Sequence, residues 1–275
     1  MTHLTGLAPD REATRRAQSI MSPFVRNISD GPRSIETMVT AYGLSAQQSI
    51  YSIHEQQQPS CLGEALAACI EAKVKLRVSA IGIWREARRR QGKLEEITGS
   101  RIEYGLEGLV FRGWDPYEPG EELNLDEMLR NDDLDSEMAA FDNKEPDLEF
   151  HRIDTDRTTS AVLFDIDAAL KAGCGVVVGS GITQSYMNYH ASSPASERVL
   201  GTDAMGGDQN GHAQRIFAMR LMPDGTRQYG VQGSWGVNWG GMTLADGTWQ
   251  PGCCWVKQEV LLGVWDIHTV KFRKI

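Results

Sequence analysis

The chain has 275 residues, 41% of them apolar, and a formal charge of −9. That length is long for one minimal domain and short for three, and the apolar share suffices for a sizeable core. No run of about 18 apolar residues is present, which excludes a hydrophobic membrane-spanning helix. The charge is uneven: residues 117–149 hold thirteen Asp or Glu against Arg130 and Lys144, which leaves the rest near neutral. A nucleic-acid partner finds no basic stripe, because Arg85-Glu-Ala-Arg88-Arg89-Arg90 reads as the solvated face of a helix. Cys61, Cys69, Cys174, Cys253 and Cys254 are odd in number and two are adjacent, so no disulfide framework is expected. With no basic segment followed by an apolar core at the start, the expected compartment is reducing and cytoplasmic.

In chain order, residues 1–44 read as an N-terminal extension with helical character over 10–21 and a loop over 27–32. The run Gln56-Gln57-Gln58-Pro59-Ser60-Cys61-Leu62 opens the most informative stretch. From Leu62 the apolar residues fall at 62, 65, 66 and 69, the spacing of a helix with one buried face, predicted from 61 to about 76. Ser60 is the expected N-cap, placing Cys61 in the first turn, where unpaired N–H groups and the helix dipole favour a thiolate. Further helices are predicted over 79–91, over 99–114 with Ser100 as cap and Ile102, Leu106, Leu109 and Val110 on one face, and over 158–171, ended by Gly173. The acidic 117–149 segment reads as an insertion with a solvated surface. Strands are predicted over 175–179, 212–221, 228–235, 256–260 and 265–271.

Three pieces then stand together: Ser60-Cys61, Gly211-His212-Ala213 and Ser234-Trp235-Gly236-Val237-Asn238-Trp239-Gly240. They resemble the papain-like cysteine peptidases, in a divergent form of bacterial or phage type. His212 follows Cys61 by 151 residues, close to the roughly 130–150 typical of that family. The resemblance implies an α+β fold over 45–275, with a helical half over about 45–116 and an antiparallel β half over about 150–275. The cleft lies between the halves, and the acidic segment 117–149 is inserted in the chain between them.

The resemblance also implies roles. Cys61 is the expected nucleophile and His212 the base that takes its proton. The family's oxyanion glutamine stands six residues before the cysteine, where this chain has Glu55, which cannot donate when ionised. A one-residue deletion brings Gln56 into register, and Gln57 and Gln58 stay open as alternatives. The family's asparagine, which orients the base, is replaced by Gly233. Trp235 and Trp239 correspond to tryptophans that cover the histidine, or else to ordinary core residues.

The expected activity is therefore cysteine peptidase, attenuated or lost through Gly233, acting on a peptide or protein with no metal or cofactor. The alternative is a catalytically silent papain-like module with a structural or interaction role, for example in a phage particle. That setting would make the location the virion. A protein partner is expected at residues 1–44 or at the acidic segment, and neither nucleic acid nor membrane.

Overall fold

A computed structural model describes residues 45–94, 96–120, 148–206, 211–244 and 246–272. The extension over 1–44 and nearly all of the acidic segment, with the partner contacts expected of both, lie outside them.

The first helix among the described residues, α1 (Cys61–Val74), departs from the expected one-faced pattern: every residue from Cys61 through Glu71 is buried. A helix enclosed on all sides is a core helix rather than a surface one. It packs against α2 (Ala80–Arg90) and α3 (Ile102–Arg112) on one side and against the sheet on the other, sharing one apolar cluster with Val177, Ala213 and Val270. Small residues permit the close approach. A Cβ on Gly63 would fall 2.0 Å from the carbonyl oxygen of Ala80. The helix ends at Lys75, whose φ of 60° turns its N–H back to Glu71 O.

Ser79, the first residue of the second predicted helix, caps α2, its hydroxyl accepting from Gly82 N at 2.9 Å. Ser60 occupies the N-cap position of α1 but makes no side-chain cap; its hydroxyl donates to the Glu64 carboxylate at 3.0 Å. A hydroxyl committed to that charge is aimed away from the helix N–H groups. Ser100 likewise donates to Gln91 Oε1 at 2.9 Å, and Arg101 takes the cap position of α3. Ile102, Leu106 and Leu109 bury the predicted face of α3, while Val110 is exposed.

Among the described residues the sheet has eight strands: β1 (Ser45–Gln47), β2 (Leu148–Arg152), β3 (Gly175–Gly181), β4 (Val199–Leu200), β5 (Gly211–Leu221), β6 (Arg227–Gln232), β9 (Cys253–Lys257) and β10 (Val264–Phe272). Their order is β2-β10-β3-β5-β6-β9-β4, with β1 also paired to β5, and a separate hairpin joins β7 (Met242–Thr243) to β8 (Trp249–Gln250). All pairs are antiparallel except β4 with β9. Strand β3 is buried throughout: Val177 faces the helices, while Val176 and Val178 face the cluster built on α4 (Thr159–Lys171). A strand covered on both faces explains the unbroken valine run. The strand predicted over 256–260 instead starts at Cys253 and gives way to a 3-10 turn, Gln258–Leu262, because β6 offers no partner beyond the Gln228–Lys257 pair.

Because the atom nearest the missing Gly63 side chain is backbone, it cannot swing aside. Gly63→Ala is expected to destabilise the protein by roughly 3 kcal/mol or more in urea unfolding; a loss under about 0.5 kcal/mol would contradict this packing.

Candidate active site

The N-terminus of α1 meets the beginning of β5. Ala213 N donates to Cys61 Sγ at 3.3 Å, which sets the sulfur against the residue that follows His212. Neither Cys61 nor His212 exposes any surface. The His212 ring lies nearly parallel to the Trp235 indole, with centroids 4.5 Å apart and planes at 17°. Trp235 is in turn braced by Tyr186 and Trp239 at 5.6 and 5.1 Å. Trp239 is fixed by its own N–H, which donates to Tyr186 O at 3.0 Å. The two tryptophans are thus both a wall over the histidine and part of the β-half core.

Gln56 lies on the segment leading into α1. Its backbone N donates to Ser234 O at 2.8 Å, and its side-chain carbonyl accepts from Ser234 Oγ at 2.5 Å. Its amide nitrogen donates to Gln58 O at 3.1 Å. Glu55 bridges Trp235 through the backbone, and its carboxylate lies against Gly236, where a Cβ would come 2.8 Å from Oε2. Gln57 is exposed and Gln58 partly buried.

At position 233 glycine is required for space rather than for its φ angle. A Cβ there would lie 2.5 Å from Trp239 Cζ3 and 2.9 Å from Cε3. The Trp239 ring therefore fills the start of the room an asparagine side chain would use.

A second group of residues, not apparent from local sequence, lies directly behind Cys61. His54 Nδ1 is 2.6 Å from Glu64 Oε2, and its Nε2 is 3.0 Å from Glu71 Oε2. Glu64 also accepts from Ser60, and Glu71 from Ser52 and from Val78 N. Burial by itself would depress the His54 pKa, but the hydrogen bonds and charges of Glu64 and Glu71 outweigh it and raise it to about 9. Glu71 is held below the ordinary glutamate value: burial works the other way, and the His54 contacts overcome it. The available signal was the seven-residue spacing of Glu64 and Glu71, which puts two acids on one face of an apolar helix.

All five cysteines are buried, and none is joined to another in a disulfide. Among the described residues, no group of three or more His, Cys, Asp or Glu could hold a metal ion, and no helix is long and apolar enough to cross a membrane.

Helices packed on a largely antiparallel sheet, with a cysteine at the head of the buried central helix, form a papain-like α+β fold. The chain is similar to xylellain, a cysteine protease from Xylella fastidiosa, with a TM-score of 0.63 and 18% identity over 98% of this chain and 96% of that one. It is also similar to digestive procathepsin L 3 of the Tenebrio molitor larval midgut, with a TM-score of 0.57 and 14% identity over 90% and 73% of the two chains. Inhibitor-bound bromelain from Ananas comosus gives a TM-score of 0.57 and 12% identity over 84% and 100%. No family model matches the sequence, and no curated protein matches it significantly.

Two predictions follow from this geometry. The His54 contribution to stability is fully present below the ordinary histidine pKa of 6.5 and is lost as pH rises through about 9. Wild type should therefore lose on the order of 3 kcal/mol of unfolding free energy between pH 6 and 10 that His54→Gln does not lose, measured by urea titration at each pH. Separately, Gly233→Asn should lower the melting temperature, and Gly233→Asn with Trp239→Leu should recover part of that loss. An unchanged melting temperature in the single variant would show that Trp239 does not need the room.

Proposed function

We propose that the chain is a cysteine peptidase acting on peptide or protein amide bonds, with Cys61 as nucleophile and His212 as base. The observation that carries this reading is the 3.3 Å contact from Ala213 N to Cys61 Sγ, which sets a thiol at the N-terminus of a buried helix against the residue that follows His212. The helix end favours the thiolate, and His212 is the group that receives its proton. The thiolate adds to the scissile carbonyl carbon, and the resulting oxyanion takes hydrogen bonds from the Cys61 N–H and the Gln56 side chain. The imidazolium then protonates the departing amine as the C–N bond breaks. Water, deprotonated by the same ring, hydrolyses the thioester and regenerates the thiol.

With Gly233 lacking a side chain, Trp235 takes over part of the orienting task. A ring stacked at 4.5 Å cannot rotate freely about its Cβ–Cγ bond without losing that face-to-face contact. Because Cys61 and His212 have no exposed surface, a substrate reaches them only by displacing the chain that covers them.

The second reading, a silent papain-like module, is favoured by Trp239 filling the room next to Gly233. One experiment separates the two. Cys61 should be alkylated stoichiometrically at about pH 6, where ordinary thiols are protonated, and the protein should cleave peptides in a manner abolished by Cys61→Ala. Absence of both acid-pH alkylation and turnover would leave the silent module as the correct account.

A further inference from the structure

The thiol shares its helix with two buried carboxylates. Glu64 lies one turn beyond Cys61 and is 6% exposed; Glu71 lies two turns further and is 1% exposed. Residues three apart on a helix have Cβ atoms about 5–6 Å from each other. At that separation in a water-poor site, a carboxylate opposes formation of a second anion. Glu64 alone would thus work against the thiolate that the helix N-terminus favours.

The His54 ring lies between the two acids, 2% exposed, with one nitrogen facing each carboxylate. An ionised carboxylate only accepts hydrogen bonds, so an imidazole bonded to one at each nitrogen carries a proton on both and is a cation. The other groups around it are Ser52, 3.1 Å from Nε2, and Arg77, whose Nε is 3.3 Å from Glu71 Oε1. The buried Arg215 guanidinium on β5 also interacts with Glu71. The backbone of His54 reaches the other half of the molecule, its carbonyl accepting from Gly236 N at 2.8 Å. One residue thereby joins the cysteine helix to the segment whose Trp235 stacks on His212.

We infer that His54 is a positioning residue for the Cys61–His212 pair: its imidazolium offsets the carboxylates behind the thiol, so that Cys61 ionises at acid pH, while its carbonyl holds the Trp235 segment in place. The inference rests on the cysteine-peptidase reading and adds to it a residue that touches no substrate. A pKa of about 9 keeps the His54 charge in place throughout the working range of a thiolate–imidazolium pair.

The test is the pH dependence of Cys61 alkylation by iodoacetamide in the full chain, followed by mass spectrometry of the Cys61 peptide. His54→Asn should raise the midpoint by about one pH unit, because Glu64 then loses its counter-charge while Glu71 keeps Arg77 and Arg215. Glu64→Gln should lower it, because one carboxylate is gone and Glu71 still holds the His54 charge. The double variant should return toward wild type. Structural damage would move both single variants in the same direction, so opposite shifts support the electrostatic role. Shifts of the same sign, or a flat response in both variants over an acid wild-type midpoint, overturn the inference alone. A wild-type midpoint at the ordinary thiol value of about 8.5 overturns the peptidase reading, and the inference with it. If His54→Asn does not fold, Glu64→Gln decides: a fall supports the inference, and no change or a rise overturns it.

Discussion

The site depends on a dry seam between the first turn of α1 and the first residues of β5. Strand β6 pairs with β5 only from Arg215 onward, so the start of β5 lacks that neighbour. The Ala213 N–H is satisfied by the Cys61 sulfur instead. A buried N–H left without an acceptor costs about 1–3 kcal/mol, so the fold itself has an interest in where the sulfur sits. The Cys61 thiol is held as part of the hydrogen-bonding at the start of β5, not merely displayed beside it.

Two apolar cores meet at that seam. One is built from the three leading helices and the near face of the sheet; the other lies beneath α4 and contains Trp235, Trp239 and Tyr186. Cys61 belongs to the first core, and the wall that holds His212 belongs to the second. Relative movement of the two cores would shift Cys61 against the Trp235 wall. The segment from Ser52 to Ser60 opposes such movement: its backbone pairs with residues 234–236 while its side chains bond to α1.

Much of this was legible in the sequence. The 62, 65, 66, 69 spacing located α1, Ser79 located the start of α2, and the Ser-Trp-Gly-x-x-Trp-Gly piece located the wall beside His212. What escaped was non-local. Periodicity reveals an apolar stripe but not a helix enclosed on every side, since Gly63, Ala67 and Ala68 become buried only when other elements close over them. Ser60 and Ser100 have the composition of caps, yet each hydroxyl found a stronger acceptor elsewhere. His54 carries no local signal because its partners stand 10 and 17 residues away, and only folding brings both carboxylates to one ring. The extension and the acidic segment lie outside the described residues.

Position 233 also bears on how such a sequence can change over time. Glycine there and tryptophan at 239 form one steric unit, because the ring of one occupies the space a side chain on the other would need. Substitution at either position alone passes through a less stable protein: a side chain at 233 collides with the ring, and a smaller residue at 239 leaves a void. The two positions are therefore coupled in descent. A lineage carrying this pair is separated from the asparagine-bearing arrangement by a double substitution, which acts as a ratchet on the surroundings of His212.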